Sequence, residues 1–295
     1  MSSVPGVGPL AGHRLLDDPV SGAAQTTLAV GDRTVIAVSD GFFLLEKVKE
    51  FLGSETHPTA GHDALEHAYG EARLPVGAFL VPGDEPVLID AGAGPVDVGG
   101  MGALVGGNLL RQLARHGHRR EDIKVLALSH LHVDHVGWVA DPEGNPTFPS
   151  AQVYLGRADW VYFVEQLAGE LPIAENVRTA LVTLAERDQV TLLDDDRQIA
   201  PGITRLAAPG HTPGHSLYAI HDDGERALLF GDAMYCPQQL TDADWAAASD
   251  VDPKLARRTR EAYLRDLEEH GGTGLGCHFP QLRAGRIVSG AWQDA

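Results

Sequence analysis

Short apolar runs punctuated by Gly, Pro and Asp recur along the chain. They fall at residues 26–30, 34–38, 78–81, 86–89, 125–128, 152–155, 203–207, 216–220, 227–230 and 274–277. Runs of four or five residues with such boundaries predict strands buried on one or both faces. Between them, Leu109, Leu110, Leu113 and Ala114 repeat at helical spacing and stop before Gly117. Ala256, Tyr263, Leu264 and Leu267 do the same. Asp252-Pro253 in front of them suits a helix start and Gly271 suits its end. Residues 157–167 and 173–185 carry weaker helical patterns. Strands alternating with helices predict sheet layers covered by helices.

No fixed-period repeat, heptad run or low-complexity linker divides the chain, so residues 25–295 read as a single domain. The Gly- and Pro-rich residues 1–24 read as a loose arm without the basic start and apolar run of a secretory signal. Residues 46–72 show weak periodicity and contain His57, His62 and His67; they read as an excursion over the surface or a cap. No stretch of 18 apolar residues occurs, which gives no candidate membrane span.

Composition narrows the partners. With 41 acidic and 23 basic side chains the formal charge is −18, which opposes binding to nucleic acid. Cys236 and Cys277 are the only cysteines, so packing rather than disulfides must stabilise 295 residues. Both read as small buried hydrophobes, and the count suits a reducing, cytoplasmic setting.

The strongest chemical signal is Ser129-His130-Leu131-His132-Val133-Asp134-His135, directly after the apolar run 125–128. Positions two apart in extended chain face the same way, so His130 and His132 can converge on one ion. A turn into a helix at Val133 would swing Asp134 and His135 toward a neighbouring position. Leaving so many polar groups beside a core strand without an ion would be expensive.

H-x-H-x-D-H after a strand resembles the signature of the metallo-β-lactamase superfamily. Further matches lie at Pro209-Gly210-His211-Thr212-Pro213-Gly214-His215, at Phe230-Gly231-Asp232, at Cys277-His278 and at Val87-Leu88-Ile89-Asp90-Ala91-Gly92. The resemblance implies an α/β fold, the αββα four-layer sandwich. It implies one metal held by His130, His132 and His211, a second held by Asp134, His135 and His278, and Asp232 bridging them. Two divalent ions are implied, zinc by default from the imidazole-rich set, with manganese, iron or cobalt able to occupy the same ligands. Two carboxylates and a bridging hydroxide do not neutralise two such ions. The centre would therefore be cationic and would activate water for hydrolysis.

Asp232-Ala233-Met234-Tyr235 resembles the D-x-x-Y spacing of N-acyl homoserine lactonases, implying that Tyr235 supports a developing oxyanion. Asp134 would double as a ligand and as proton donor to the leaving oxygen. Asp90 would hold a ligating histidine by its free nitrogen, and His215 would brace the turn around His211 without binding metal. Ser39-Asp40-Gly41-Phe42-Phe43 and Gly137-Trp138 resemble the branch that also contains methyl-parathion-type hydrolases. Phe42, Phe43, Trp138, Trp160, Tyr162 and Phe163 are candidate walls of an apolar pocket.

The expected function is a dinuclear hydrolase, with hydroxide between the metals opening a lactone or cleaving a related ester of a small molecule, as in quorum quenching. Organophosphate triester hydrolysis, glyoxalase-II-like thioester hydrolysis and all-histidine β-lactamase activity are enzyme alternatives. A metal-dependent binding module is the non-enzyme one. Arg257, Arg258 and Arg260 cluster on the last helix, read as a solvated face rather than a clamp for an anionic thioester. Oligomeric state is not legible.

Overall fold

The computed structural model describes residues 26–45, 51–54, 73–98, 102–167, 173–240, 244–288 and 291–294. The arm at 1–24 and most of the 46–72 excursion, including its three histidines, lie outside the described residues.

In chain order the first half contributes β1 (Thr27–Val30), β2 (Arg33–Leu45), β3 (Leu52–Ser54), β4 (Arg73–Val81) and β5 (Val87–Ile89). Then come β6 (Asp97–Val98), β7 (Gly102–Val105), β8 (Val125–Ala127), β9 (Gln152–Gly156) and β10 (Val190–Leu193). All but β3 form one sheet in the order β10-β9-β8-β5-β4-β2-β7-β6, with β1 paired to β2. The second half contributes β11 (Arg197–Ala200), β12 (Ile203–Ala207), β13 (Ser216–Asp222), β14 (Glu225–Leu229), β15 (Trp245–Ala247), β16 (Thr273–Leu275), β17 (Ala284–Val288) and β18 (Ala291–Asp294). A second sheet runs β11-β12-β13-β14-β16-β17-β18, while β15 pairs with β3 as a separate ribbon.

The alternation of side chains along the strands builds the layers. Val35, Ala37, Phe79, Val81, Ile89 and Ala127 face Ile203, Tyr218, Ile220, Ala227 and Leu229 between the sheets. Their neighbours Ile36, Val38, Leu80, Leu88 and Leu126 point the other way, onto α1 (Leu109–Arg115) and α4 (Glu175–Glu186). Between these two helices the chain makes α2 (Val133–Val136) and α3 (Arg157–Asp159), the latter running into a π turn at Trp160–Glu165. On the far side Leu217, Ala219, Leu228 and Phe230 meet Leu267 and Tyr263 of α5 (Pro253–His270). The product is the four-layer αββα sandwich that the sequence predicts. Strands buried on both faces explain why their runs are continuously apolar.

The start of α5 is as expected: the Asp252 carboxylate accepts from the Leu255 N–H at 2.9 Å and Pro253 opens the helix. Arg257 and Arg260, however, do not share a solvated face. Arg257 pairs with Asp244 and Glu261 at the surface, whereas Arg260 is 1 % exposed and points inward beside Asp250. The helical repeat places residues 256, 260 and 267 on the buried stripe, which carries the guanidinium under the fold.

β5 and β8 run parallel, as do β14 and β16, so the chain leaves each of these strands at a common end of its sheet. Asp90 follows β5, His130 follows β8, Asp232 follows β14 and His278 follows β16. His211 lies on the loop between the paired strands β12 and β13. Residues far apart in sequence are thereby gathered at one edge of the sandwich.

Candidate metal centre

The seven predicted ligand residues come together in two adjoining groups. His130 Nε2 and His132 Nδ1 are 3.0 Å apart, and His211 Nε2 is 2.9 Å from that same His132 nitrogen. The Oδ2 atom of Asp232 lies 3.7 Å from His130 Nε2 and 3.4 Å from His211 Nε2. Its other oxygen, Oδ1, lies 3.1 Å from His135 Nε2 and 3.2 Å from His278 Nε2. Asp134 Oδ2 closes the second group at 3.2 Å from His278 and 3.4 Å from His135. One carboxylate therefore offers one oxygen to each group.

The outer nitrogens of the histidines decide which atoms face inward. His135 Nδ1 donates to Asp90 Oδ2 at 2.9 Å. His278 Nδ1 donates to the Pro75 carbonyl at 2.6 Å, and His211 Nδ1 to Asp250 Oδ1 at 2.9 Å. Ser129 gives its hydroxyl proton to Asp90 at 2.9 Å, leaving its oxygen to accept from His130 Nδ1 at 3.0 Å. In all four rings the Nε2 lone pair is then directed into the centre, and His132 supplies Nδ1.

This arrangement fits metal ions. Nitrogen lone pairs facing one another, as those of His130 and His211 face His132 Nδ1, cannot satisfy one another as neutral acceptors. His135 Nε2, His278 Nε2 and Asp232 Oδ2 are buried without a hydrogen bond of proper geometry. Protonation follows the same division. Burial, reinforced by His135, holds His130 well below the usual imidazole range, and burial pushes His132 down to about 3. In the second group burial acts in the same sense on His135, but the carboxylates of Asp232, Asp134 and Asp90 outweigh it and raise its pKa. Burial works against ionised Asp232 too, yet His135, His278 and His130 hold its carboxyl well below the ordinary range. The second group has the electrostatics of a place that holds positive charge.

Local backbone shapes these positions. Asp90 has φ 62°, and from that left-handed conformation it reaches the Ser129 N–H at 2.7 Å as well as His135. Gly231 has φ 54°, and a Cβ there would lie 2.7 Å from His215 Nε2. The His215 ring accepts from the Asp232 N–H at 3.0 Å, and its backbone N–H donates to the Thr212 carbonyl at 3.4 Å, so it braces both Asp232 and the turn of His211. That turn is also held by Asp159, whose carboxylate accepts from the Gly214 N–H at 2.6 Å and the Thr212 hydroxyl at 2.8 Å. Burial raises the Asp159 pKa to about 6.

Cys236 and Cys277 are free and buried. Cys277 belongs to the core between the sheets as expected, but its thiol also donates to Asp232 Oδ1 at 3.3 Å and is gathered with His135, Asp232 and His278. Tyr235 stacks on His278 with ring centroids 5.0 Å apart and planes 6° from parallel. Its hydroxyl lies 3.0 Å from Ser249 Oγ.

Of the predicted pocket wall, Phe163 meets His132 edge-on at 5.6 Å and Phe43 lies 6.3 Å from His278. Trp138 instead gives its indole N–H to Asp40 at 2.8 Å, and Trp160 gives its own to Glu165. Asp40 also accepts from the N–H groups of Ala93, Gly94, Gly107, Asn108 and Leu109 at 2.7–3.1 Å, which makes the Ser39-Asp40-Gly41 motif a tie between loops. Sequence reasoning missed Phe51, which meets the Tyr235 ring edge-on at 5.5 Å. It also missed Ser249, Asp250 and Asp159.

The profile described as Metallo-beta-lactamase superfamily matches residues 72–270. The chain belongs to the metallo-beta-lactamase superfamily. An N-acyl homoserine lactonase, AiiA of Bacillus thuringiensis subsp. kurstaki, is 28% identical over 199 residues, 62% of this chain and 72% of the relative. Among solved structures, the superfamily hydrolase AbOPH superposes with TM-score 0.75 at 26% identity, over 92% of this chain and 97% of that one. AidC, a dizinc quorum-quenching lactonase solved with a product, superposes with TM-score 0.71 at 19% identity over the same shares. The latter likeness is one of fold. Dinuclear sites are typical of this superfamily, and as a member with this donor set the chain is a metal-dependent hydrolase. No helix among the described residues is long and apolar enough to cross a membrane.

Proposed function

We propose that the protein opens a lactone, or cleaves a closely related carboxylic ester, at a two-metal centre. His130, His132, His211 and Asp232 Oδ2 would hold one ion, and Asp134, His135, His278 and Asp232 Oδ1 the other. Zinc is the ion proposed, because five imidazoles with two carboxylates suit it. Bound there, two divalent ions would polarise a carbonyl and lower the pKa of water.

The observation that carries the substrate class is Tyr235. Its ring is pinned flat on His278, and burial, reinforced by the charges of Asp232 and Asp134, pushes its pKa well above the usual phenol range. It stays protonated at neutral pH and serves as a hydrogen-bond donor. A neutral donor beside the ligands suits a carbonyl oxygen that gains charge in the transition state. Asp134, 5 % exposed, and His132, 6 % exposed, are more accessible than the other side chains of the centre, which supports a role for Asp134 in passing a proton to a leaving alkoxide. Phe43, Phe51 and Phe163 add apolar surface close to these groups, which suits an acyl chain. Two of the α5 arginines offer no basic clamp for glutathione or coenzyme A, since Arg260 is buried and Arg257 is paired. That weighs against the thioesterase alternative.

The test is ring opening followed by pH-stat, with acyl homoserine lactones of several chain lengths set against aryl esters and an organophosphate triester. Lactones are expected to give the highest kcat/KM, lost on chelation and restored by Zn2+. A preference for the triester, or turnover indifferent to metal, would overturn the reading.

A further inference from the structure

His211 is the only first-group ligand whose outer nitrogen meets a carboxylate directly, and that carboxylate is buried against a cation. Asp250 Oδ1 accepts from His211 Nδ1 at 2.9 Å, while Oδ2 lies 3.5 Å from Arg260 Nη1 and 3.4 Å from the Ala247 N–H. The side chains of Asp250 and Arg260 are 0 % and 1 % exposed. Arg260 Nε and Nη2 have no hydrogen-bond partner among the described residues. Burying an aspartate and an arginine together is costly, and replacing such a pair by apolar residues is often neutral for stability. Its presence behind a ligand calls for another account.

We infer that Arg260, Asp250 and His211 form a buried relay that fixes His211 as the Nδ1–H tautomer and sets the affinity of the first metal group. An ionised carboxylate only accepts, so it admits one tautomer and turns the Nε2 lone pair toward His132 and Asp232. The guanidinium holds the carboxylate from behind. Backbone contacts place the relay: the Val251 N–H donates to the His211 carbonyl at 3.0 Å and the Asp252 N–H to the Gly210 carbonyl at 2.9 Å. From α5, the Thr259 hydroxyl donates to the Pro209 carbonyl at 2.6 Å. The second group has a carboxylate on one histidine as well, but among the described residues no guanidinium pairs with it. Its His278 is held by a neutral carbonyl and its His135 by Asp90, which also serves Ser129. Asp250 and Arg260 are thus positioning residues for one group and not for the other.

The inference rests on the two-metal reading of the site but not on the lactone. Metal-stripped wild type and Asp250→Asn are titrated with Zn2+ against a chromophoric chelator, and both are loaded with 113Cd2+ for NMR. Wild type is expected to bind two ions and show two cadmium resonances. Asp250→Asn should weaken one binding step by roughly 10–100-fold and shift one resonance, leaving the other step and resonance in place. Asp250→Glu, which keeps the acceptor, should recover part of that loss. If the amide variant does not fold, the glutamate variant is read alone and is expected to disturb the same single step. Equal weakening of both steps, or no change in either, would overturn the relay while leaving the two-metal reading intact. Failure of wild type to bind Zn2+ would overturn both.

Discussion

Asp159 joins the start of the π turn to the loop that carries His211, and its replacement by asparagine tests whether burial governs its charge. Its carboxyl pKa is about 6 against an ordinary 3.8, and burial is the largest cause. Because the folded state binds this proton more tightly than the unfolded chain does, the contribution to stability is full below pH 3.8 and is lost as pH rises through 6. Two pKa units correspond to about 3 kcal/mol. About half of that is already lost at pH 5 and the rest by pH 8. Asparagine keeps an oxygen for the Gly214 N–H and an amide toward the Thr212 hydroxyl, which can accept instead of donate. Its cost is therefore a constant offset without the pH term. Urea denaturation of wild type and Asp159→Asn at saturating metal, from pH 5 to pH 8, should show the variant gaining on wild type by one to two kcal/mol, roughly the second half of that sum. Parallel curves would show that hydrogen bonds from Gly214, Thr212 and neighbouring backbone keep Asp159 ionised throughout.

Three further outcomes are expected. Tyr235→Phe should lower kcat on a lactone by about 100-fold with little change in KM, the signature of a donor used in the transition state, and a change confined to KM would contradict this. Gly137→Ala should destabilise the fold by more than about 4 kcal/mol in urea denaturation, since an added Cβ would sit 1.9 Å from the Ala93 carbonyl carbon; a loss under 1 kcal/mol would refute that close approach. Chelation should lower the melting temperature and Zn2+ should restore it in a concentration-dependent way, because an ion bound only by the folded state stabilises it by mass action; a Tm indifferent to both would argue against the centre.

Much of this was legible along the chain, for local reasons. The strands buried on both faces announced themselves as unbroken apolar runs, and His130 and His132 share a face because their separation is two. Asp252-Pro253 marked the start of α5 by ordinary capping chemistry. What escaped depended on distance. Ser249 and Asp250 sit in a polar stretch with no periodicity, and only packing against Tyr235 and His211 gives them roles. Arg260 lay within a basic run that looks solvated until the helix is rotated against the sheet. The far half of β2 was hidden because Ser39-Asp40-Gly41 interrupts the alternation, where the register against β4 shifts. Cys277 read as a core residue, and it is one, but no spacing rule shows that its thiol also reaches Asp232.

The β3–β15 ribbon lies outside both large sheets, yet Phe51 adjoins one of its strands while Ser249 and Asp250 follow the other. Three contacts to the centre, one each to the ring of Tyr235, to its hydroxyl and to His211, thus travel on two distant segments of chain that join only in this ribbon. The seven side chains of the centre come instead from beyond the strands of the two large sheets, at one edge of the sandwich. Paired substitutions in residues 51–54 and 245–250 would therefore change how substrate and first metal are tuned while leaving every residue of the two large sheets unaltered.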